Sequence, residues 1–328
     1  MEKLIPPFPQ DFSYFCQEYA KLVEKKTNTT YDDFSNFLTL FIDEPGTQIW
    51  VARIKSGEMG AFIGASVDPE SDLDGKILAW YITPVGWEEP ERLKIEKDLL
   101  DLALSYLTPR VKLIRISLPW ISLSCQNLLK SFHFSSYCRV SMRLDIGNTE
   151  TPAKEPLHRG YRCIPWLKLT NQDSIDLIHA LNQCSVDNDL FSSLDEKEGV
   201  KTFLEKLTRH TLGQFDPTLS LALVDENHQK NRPIGACLTI WLDPEREKHL
   251  KEPALFIVEY GLIPEARKKG LSRILLQELI RLAQIHSPPT NVIELLVTVE
   301  NAAAFHLYQS LGFRILKKFP VWAKRISK

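Results

Sequence analysis

The chain runs through one order of secondary-structure elements twice, which restricts it to folds built from two copies of a single unit. In the first half, residues 48–55 and 61–67 alternate as strands around the turn Ser56-Gly57-Glu58-Met59-Gly60. An apolar strand ending at Pro84, a helix over about 92–107, a strand over 112–118 and a helix capped near Ser122 follow. In the second half, 219–225 and 234–243 form the hairpin, 254–263 the apolar strand ending at Pro264, and 271–285 the helix. A strand over 292–299 and a helix over 301–311 complete the match. Ile63-Gly64-Ala65 mirrors Ile234-Gly235-Ala236, and Phe134 mirrors Phe313. Between them the polar, proline-bearing stretch 147–160 reads as a boundary. The expected division is therefore a first domain at 1–147, a linker at 148–159 and a second domain at 160–328, each an α/β unit.

Composition narrows the partners. Among 328 residues, 40 Lys and Arg face 42 Asp and Glu, a net charge of −2, and no block of like charges occurs. Such a surface offers no electrostatic footprint for DNA, RNA or an anionic membrane. Each half is long enough to bury a core without disulfides or a structural metal. The six cysteines, at 16, 125, 138, 163, 184 and 237, never fall at metal-ligand spacing, so no metal is expected and most should be reduced core residues. No apolar run reaches 18 residues, and the start MEKLIPPFPQDF lacks a signal-peptide pattern. The expectation is a cytoplasmic protein that contacts neither membrane nor nucleic acid.

Two segments concentrate the chemistry. From Tyr260 the sequence YGLIPEARKKGLSRILL is an apolar strand, a basic loop with one glycine, and an amphipathic helix. Unpaired N–H groups at such a helix start suit a phosphate, Gly270 lets an anion approach the backbone, and Lys268, Lys269 and Arg273 add charge. A solvated basic turn before a surface helix is the other reading. In ENAAAFHLYQSLGF, residues 300–313, Asn301 has the type and position of an N-cap and Gly312 that of a C-cap glycine. Tyr308 shares a helical face with Asn301 and Ala304, either as a core tyrosine or as a proton donor. His306 and Cys237 have no spaced partners for a nucleophilic triad.

Together, Pro264-x-x-Arg267-x-x-Gly270-x-Ser272 and, some thirty residues on, Asn301-x-x-Ala304-x-x-x-Tyr308-x-x-x-Gly312-Phe313 resemble the GNAT superfamily of acetyl-CoA-dependent N-acetyltransferases. The match covers about 254–315, and the order of elements extends it to 160–328. The family usually has Gly or Ala where this chain has Ser272. The resemblance implies an α/β (mixed α+β) fold of two tandem GNAT-like domains, each a mixed central sheet flanked by helices. It implies acetyl-CoA as cosubstrate, with pyrophosphate on backbone amides over Arg267, Lys268, Lys269, Gly270, Leu271, Ser272 and Arg273. It places the pantetheine arm along Leu262 and Ile263, a contact at Asn301, and Tyr308 as the acid that protonates the departing thiolate. The acceptor is an amine attacked directly, and its base is left between Glu259 and Glu294. A CoA-binding regulatory or scaffold protein is the alternative. The segment at 300–313 is also similar to ribosomal-protein N-terminal acetyltransferases. Those commonly have a glutamate where this chain has Leu296, so their substrate is not carried over.

Aligning Pro84 with Pro264 sets Trp87, Glu88, Glu89, Pro90 and Arg92 opposite Arg267, Lys268, Lys269, Gly270 and Ser272. Carboxylates replace ammoniums and Pro90 replaces the glycine, so this loop should not hold a diphosphate. Aligning Phe134 with Phe313 keeps a cap at Ser122 but puts Leu129 opposite Tyr308. The first half is expected to keep the fold and lack the chemistry.

Overall fold

The computed structural model describes all residues except 6–7, 28–30, 43, 68–73, 85, 119, 148–159, 184, 191–193, 228–230, 246–249, 287–289 and 327–328. The expected linker at 148–159 lies outside the described residues. In chain order come β1 (Glu2–Leu4), α1 (Gln10–Lys26), α2 (Tyr31–Ile42), β2 (Thr47–Arg53), β3 (Met59–Val67) and β4 (Asp74–Ile82). Then follow α3 (Glu89–Leu107), β5 (Leu113–Ile116), α4 (Leu123–Ser131), β6 (Ser135–Asp145), β7 (Tyr161–Pro165) and α5 (Asn171–Asn182). The rest are α6 (Lys197–Thr208), β8 (Gln214–Phe215), β9 (Leu221–Asp225), β10 (Arg232–Leu242), β11 (Ala254–Leu262), α7 (Leu271–Ile285), β12 (Val292–Thr298), α8 (Ala302–Ser310) and β13 (Arg314–Arg325).

The chain forms two compact units, residues 1–138 with 319–328, and residues 139–318. This departs from the expected division at 147–160. The cuts fall inside β6 and β13, because each unit completes its sheet with a strand from the other half of the sequence. In the second unit, Arg139–Asp145 of β6 pairs antiparallel with β12. In the first, Trp322–Arg325 of β13 pairs antiparallel with β5. Polar–apolar alternation marks a strand but not the neighbour it will join, so this exchange was invisible in the sequence.

Unit 1 is a mixed sheet in the order β1-β2-β3-β4-β5-β13 between two helical layers. Alternate strand residues serve opposite layers: Ile49 and Val51 pack with α1 and α2, Trp50 and Ala52 with α3 and α4. That rule breaks once. Gly64 faces Ala79 and Ala65 faces Ile77, leaving Leu78 as a β-bulge. Leu78 and Ala79 consequently both face the α1/α2 layer.

Unit 2 has the order β6-β12-β11-β10-β9-β7, with β8 beside β10. Its bulge repeats that of unit 1: Leu238 faces Glu259 and Thr239 faces Ile257, so Val258 is the extra residue. Val258 and Leu78 each stand six positions before the proline, Pro264 or Pro84. The parallel pairs of β11 with β12 end at Ile257 and Leu295, and those of β4 with β5 end at Ile77 and Ile116. In both units two parallel strands thus part company at the bulge. The helix caps repeat as well. Ser122 accepts from the Cys125 N–H and Asn301 from that of Ala304. Each following helix ends in a Schellman turn, with the Phe134 N–H on the Leu129 carbonyl and that of Phe313 on Tyr308.

One expected correspondence shifts. Ala61 faces Ile82 as Gly235 faces Leu262, which aligns Ile63 with Cys237 rather than with Ile234. The Ile-Gly-Ala match is therefore three residues out of structural register. The duplication rests instead on bulge, splay and caps.

Candidate functional site

The site of unit 2 grows from the bulge. Four consecutive residues of β11, Val258 to Gly261, are partly exposed, whereas of the corresponding Leu78 to Tyr81 of unit 1 all but the bulge residue Leu78 are buried. The strand end that is open in unit 2 is covered in unit 1. The Tyr81 ring packs on Phe15 and stacks on Tyr19, and the Trp87 indole lies over Gly60, donating to its carbonyl at 3.3 Å.

At the end of β11 the chain makes a 3-10 turn over Pro264–Ala266 and enters α7 at Leu271, as the sequence predicts. Lys268 and Gly270 both take positive φ, +61° and +76°, which turns successive main-chain N–H groups toward one side. The Arg267 N–H bonds to the Pro264 carbonyl, and the first helical donor is Ile274, bonded to Gly270. Among the described residues, the N–H groups of Lys268 through Arg273 have no main-chain acceptor. A Cβ built on Gly270 meets nothing within 4 Å, so its glycine is needed for conformation and not for room. Free donors at the positive end of a fifteen-residue helix fit a diphosphate.

Both arginines of the loop are occupied elsewhere, including Arg273, whose charge was assigned to that anion. Arg267 donates to the carbonyls of Leu262 and Leu181, at 3.0 and 3.1 Å, and so ties the loop down. Arg273 donates to the Ser310 hydroxyl on α8 at 2.6 Å. Leu271 is fully buried, and the Ser272 carbonyl accepts the Tyr260 hydroxyl. Exposed Lys268 and Lys269 keep their ammoniums outward, and the others contribute main chain. On β11, the Ile263 N–H is spent on the Ile234 carbonyl. Strand alternation then points the Leu262 and Tyr260 amides, not that of Ile263, into the splay.

Glu259 and Tyr308 come together here. Burial and the negative charge of Asp187 lift the Glu259 carboxyl to about 7, against hydrogen bonds from the Asn182 side chain and the Tyr260 main chain. Tyr308, 5% exposed, packs between Tyr260 and Phe313. Burial, with Cys237, Glu259 and Asp187 beside it, pushes its phenol well above the ordinary value. The other base candidate is engaged by protein: Glu294 is buried and accepts from Arg143 Nε at 2.8 Å, across the β12–β6 pair. Asn301 caps α8 and also donates to Asp187 at 3.1 Å. Its amide is thus engaged on both ends, and any contact with a pantetheine arm would fall to its remaining hydrogen.

Asp187, Thr298, Asn182 and Tyr260 were not singled out in the sequence. Asp187 lies in a single 3-10 turn, Val186–Asp189, with no periodicity to mark it. Among the described residues no group of His, Cys, Asp and Glu could hold a metal, and no helix is long and apolar enough to cross a membrane.

The model of the acetyltransferase (GNAT) family matches residues 186–313. A GCN5-related N-acetyltransferase from Sphaerobacter thermophilus superposes with TM-score 0.57 at 15% identity, over 95% of this chain and 90% of that one. The glucosamine N-acetyltransferase region of a fungal multi-domain GH3 β-N-acetylglucosaminidase gives 0.61 at 13% identity, over 98% of this chain and 38% of that one. A tandem GNAT protein from the clavulanic acid biosynthesis pathway gives 0.49 at 11% identity, over 87% of this chain and 85% of that one. No curated protein sequence matches. Bulge, splay, open helix start and capped Tyr308 helix all lie inside residues 186–313, the span that is similar to the GNAT acetyltransferase family, within a fold that repeats the same α/β plan in unit 1.

Proposed function

We propose that unit 2 moves an acetyl group from acetyl-CoA to a primary amine by direct attack, without a covalent enzyme intermediate. The observation that carries this reading is the pairing, beside one anion cradle, of a carboxylate lifted to about 7 with a phenol pushed well above its ordinary value. Acetyl-CoA, when bound, supplies a thioester carbonyl, to which the amine nitrogen bonds as the carbon–sulfur bond breaks. The main-chain donors of Lys268 to Arg273 bind the diphosphate, and the Leu262 amide orients the pantetheine arm. Glu259 takes one proton from the ammonium. For a lysine-like amine, deprotonation costs roughly 4 to 5 kcal/mol at pH 7, so a base at this position matters. Tyr308 Oη gives its proton to the departing sulfur and regains one from the newly acylated nitrogen. Two protons thus leave the ammonium, one to solvent through Glu259 and one to the thiol through Tyr308.

Unit 1 has the place of this machinery but none of it: the end of β4 is buried, and Leu129 occupies the position of Tyr308. We assign it no CoA site.

The test is Tyr308→Phe in the full-length protein. Turnover falls about 10²- to 10³-fold, as expected on losing a general acid, while CoA affinity by calorimetry stays within twofold to threefold. Unchanged turnover removes Tyr308 from the reaction. No thiol release with any amine, together with intact CoA binding, favours the regulatory alternative.

A further inference from the structure

We propose that Asp187 is a positioning residue for acetyl transfer: through Asn301 it fixes the start of α8 and so the place of the Tyr308 hydroxyl. This rests on the acetyl-transfer reading and adds to it a residue that acts through another.

Helix α8 is by itself a weak support for a reacting group. It has nine residues, too few to be stable alone, and Tyr308 is the one buried residue among them. A helix packed at a single side chain is held by its ends. The C-terminal end is closed by the Phe313 N–H on the Tyr308 carbonyl and tied to α7 by Arg273, which donates to Ser310 at 2.6 Å. At the N-terminal end the cap is long. The Asn301 carboxamide oxygen accepts from the Ala304 N–H at 3.4 Å, outside the ordinary N–H···O range of about 2.7 to 3.2 Å.

What holds that carboxamide is Asp187. Its Oδ2 accepts from Asn301 Nδ2 at 3.1 Å and its Oδ1 from Thr298 Oγ1 at 2.5 Å. One carboxylate thus clasps both sides of the joint where β12 ends and α8 begins, and bonds to a charged acceptor are stronger than neutral ones. Both partners of the clasp are anchored: Thr298 is fully buried in the sheet, and the Ser185 hydroxyl accepts the Asp187 N–H at 3.2 Å. Unit 1 has the same joint with a different brace. There Ser122 caps α4 at 3.1 Å and shares a hydrogen bond with Ser124, which donates to Glu96 of α3. The clasp from the turn after α5 goes with the tyrosine, and the brace from α3 goes with Leu129. Without the clasp the first turn of α8 frays and the phenol two turns on shifts; misplacing a reacting group by about 1 Å costs on the order of 10²-fold.

The test is a double-mutant cycle in the full-length protein, read as thiol release from acetyl-CoA with butylamine and with a peptide α-amine. Asp187→Ala is expected to lower kcat about 10- to 100-fold, with KM for acetyl-CoA within about threefold and one CoA bound per chain. In a Tyr308→Phe background the same substitution should change kcat less than about twofold, because the group it places is gone. Asp187→Asn, whose carboxamide can accept from Asn301 and donate to Thr298, should return kcat to within about threefold of the parent. Effects that multiply across the cycle overturn the proposal, as does an Asp187→Ala protein with parental kcat. Should Asp187→Ala not fold, Asn301→Ser takes its place in the cycle, since it keeps a cap like Ser122 and drops the link to Asp187. Amide hydrogen exchange on CoA-saturated protein tests the clasp without an acceptor. Asp187→Ala should speed exchange over residues 305–308 about tenfold and Asp187→Asn should not; unchanged exchange overturns the clasp. Absent CoA binding, or parental turnover in Tyr308→Phe, sinks the acetyl-transfer reading, whereas a multiplicative cycle sinks only this one.

Discussion

Burial moves the Glu259 carboxyl and the Tyr308 phenol the same way for opposite uses. The carboxyl rises to about 7, where it can both accept and release a proton near neutrality; the phenol rises and stays protonated, ready to donate. The base works only when ionised, so kcat/KM should climb with pH through about 7 and level off above it. Glu259→Gln should remove that limb and lower the rate on the order of 10²-fold. A profile flat from the acid side upward in the unaltered protein would take the base role from Glu259. The same shift has a stability side. The folded chain holds the Glu259 proton more tightly than an ordinary carboxyl does, so this residue favours folding at low pH, and that contribution is lost as pH rises through about 7. Glu259→Gln should therefore melt higher than the parent at alkaline pH and close to it at acid pH. Residue type alone offered Glu259 and Glu294 equally. The partly buried Arg143, brought to Glu294 by sheet pairing, favours Glu259.

At the scale of elements, two glycine-like positions carry different loads. Gly270, at φ +76° in open space, sets the direction of the donors at the start of α7. Gly270→Ala meets no clash, yet a non-glycine residue there costs about 1 kcal/mol of conformational strain. The expected result is weakened CoA affinity with a melting temperature lowered by only a few degrees; unaltered affinity would mean that the loop does not hold the diphosphate. In unit 1 the Schellman turn after α4 places His133 at φ +62°, where its counterpart Gly312 has φ +91°. His133→Gly should stabilise unit 1 by up to about 1 kcal/mol in chemical denaturation, with acetyl transfer unchanged. Both helix ends were readable from residue type, since caps are local. The bulges at Leu78 and Val258 were not, because a bulge is a property of two strands in register and not of one.

Across the whole molecule, the two halves of the sequence are not the two folding units. Trp322, 4% exposed, sits in the core of unit 1 together with Trp50, Ile63 and Leu100, although it lies at the far end of the chain. Removing residues 319–328 deletes the strand beside β5 and that indole. Truncation should therefore unfold unit 1 while unit 2 keeps the strand it draws from 139–145. Trp322→Ala, a milder cut, should cost about 3 to 5 kcal/mol, visible as an earlier first transition in denaturant. A single unchanged transition after truncation would refute the exchange. For the same reason a fragment ending at 147 lacks a strand of its own unit and is a poor test of CoA binding; the stoichiometry of the full chain, expected to be one CoA per chain, is the better one.

The sequence by itself determined what depends on neighbours along the chain: the α/β order of elements, the repeat, the caps at Ser122 and Asn301, the basic glycine turn into α7, and the loss of that turn and of the tyrosine in the first half. These signals are local because helix ends, turns and periodicity are set within a few residues. Tertiary structure alone decided which strand completes which sheet, that Tyr81 of unit 1 packs on Phe15 and Tyr19, that Arg267 and Arg273 hold protein and not anion, and that Asp187 is held by Thr298 and Asn301. Each of these pairs residues far apart in sequence, and the burial, charge and register that link them exist only once the chain has closed on itself.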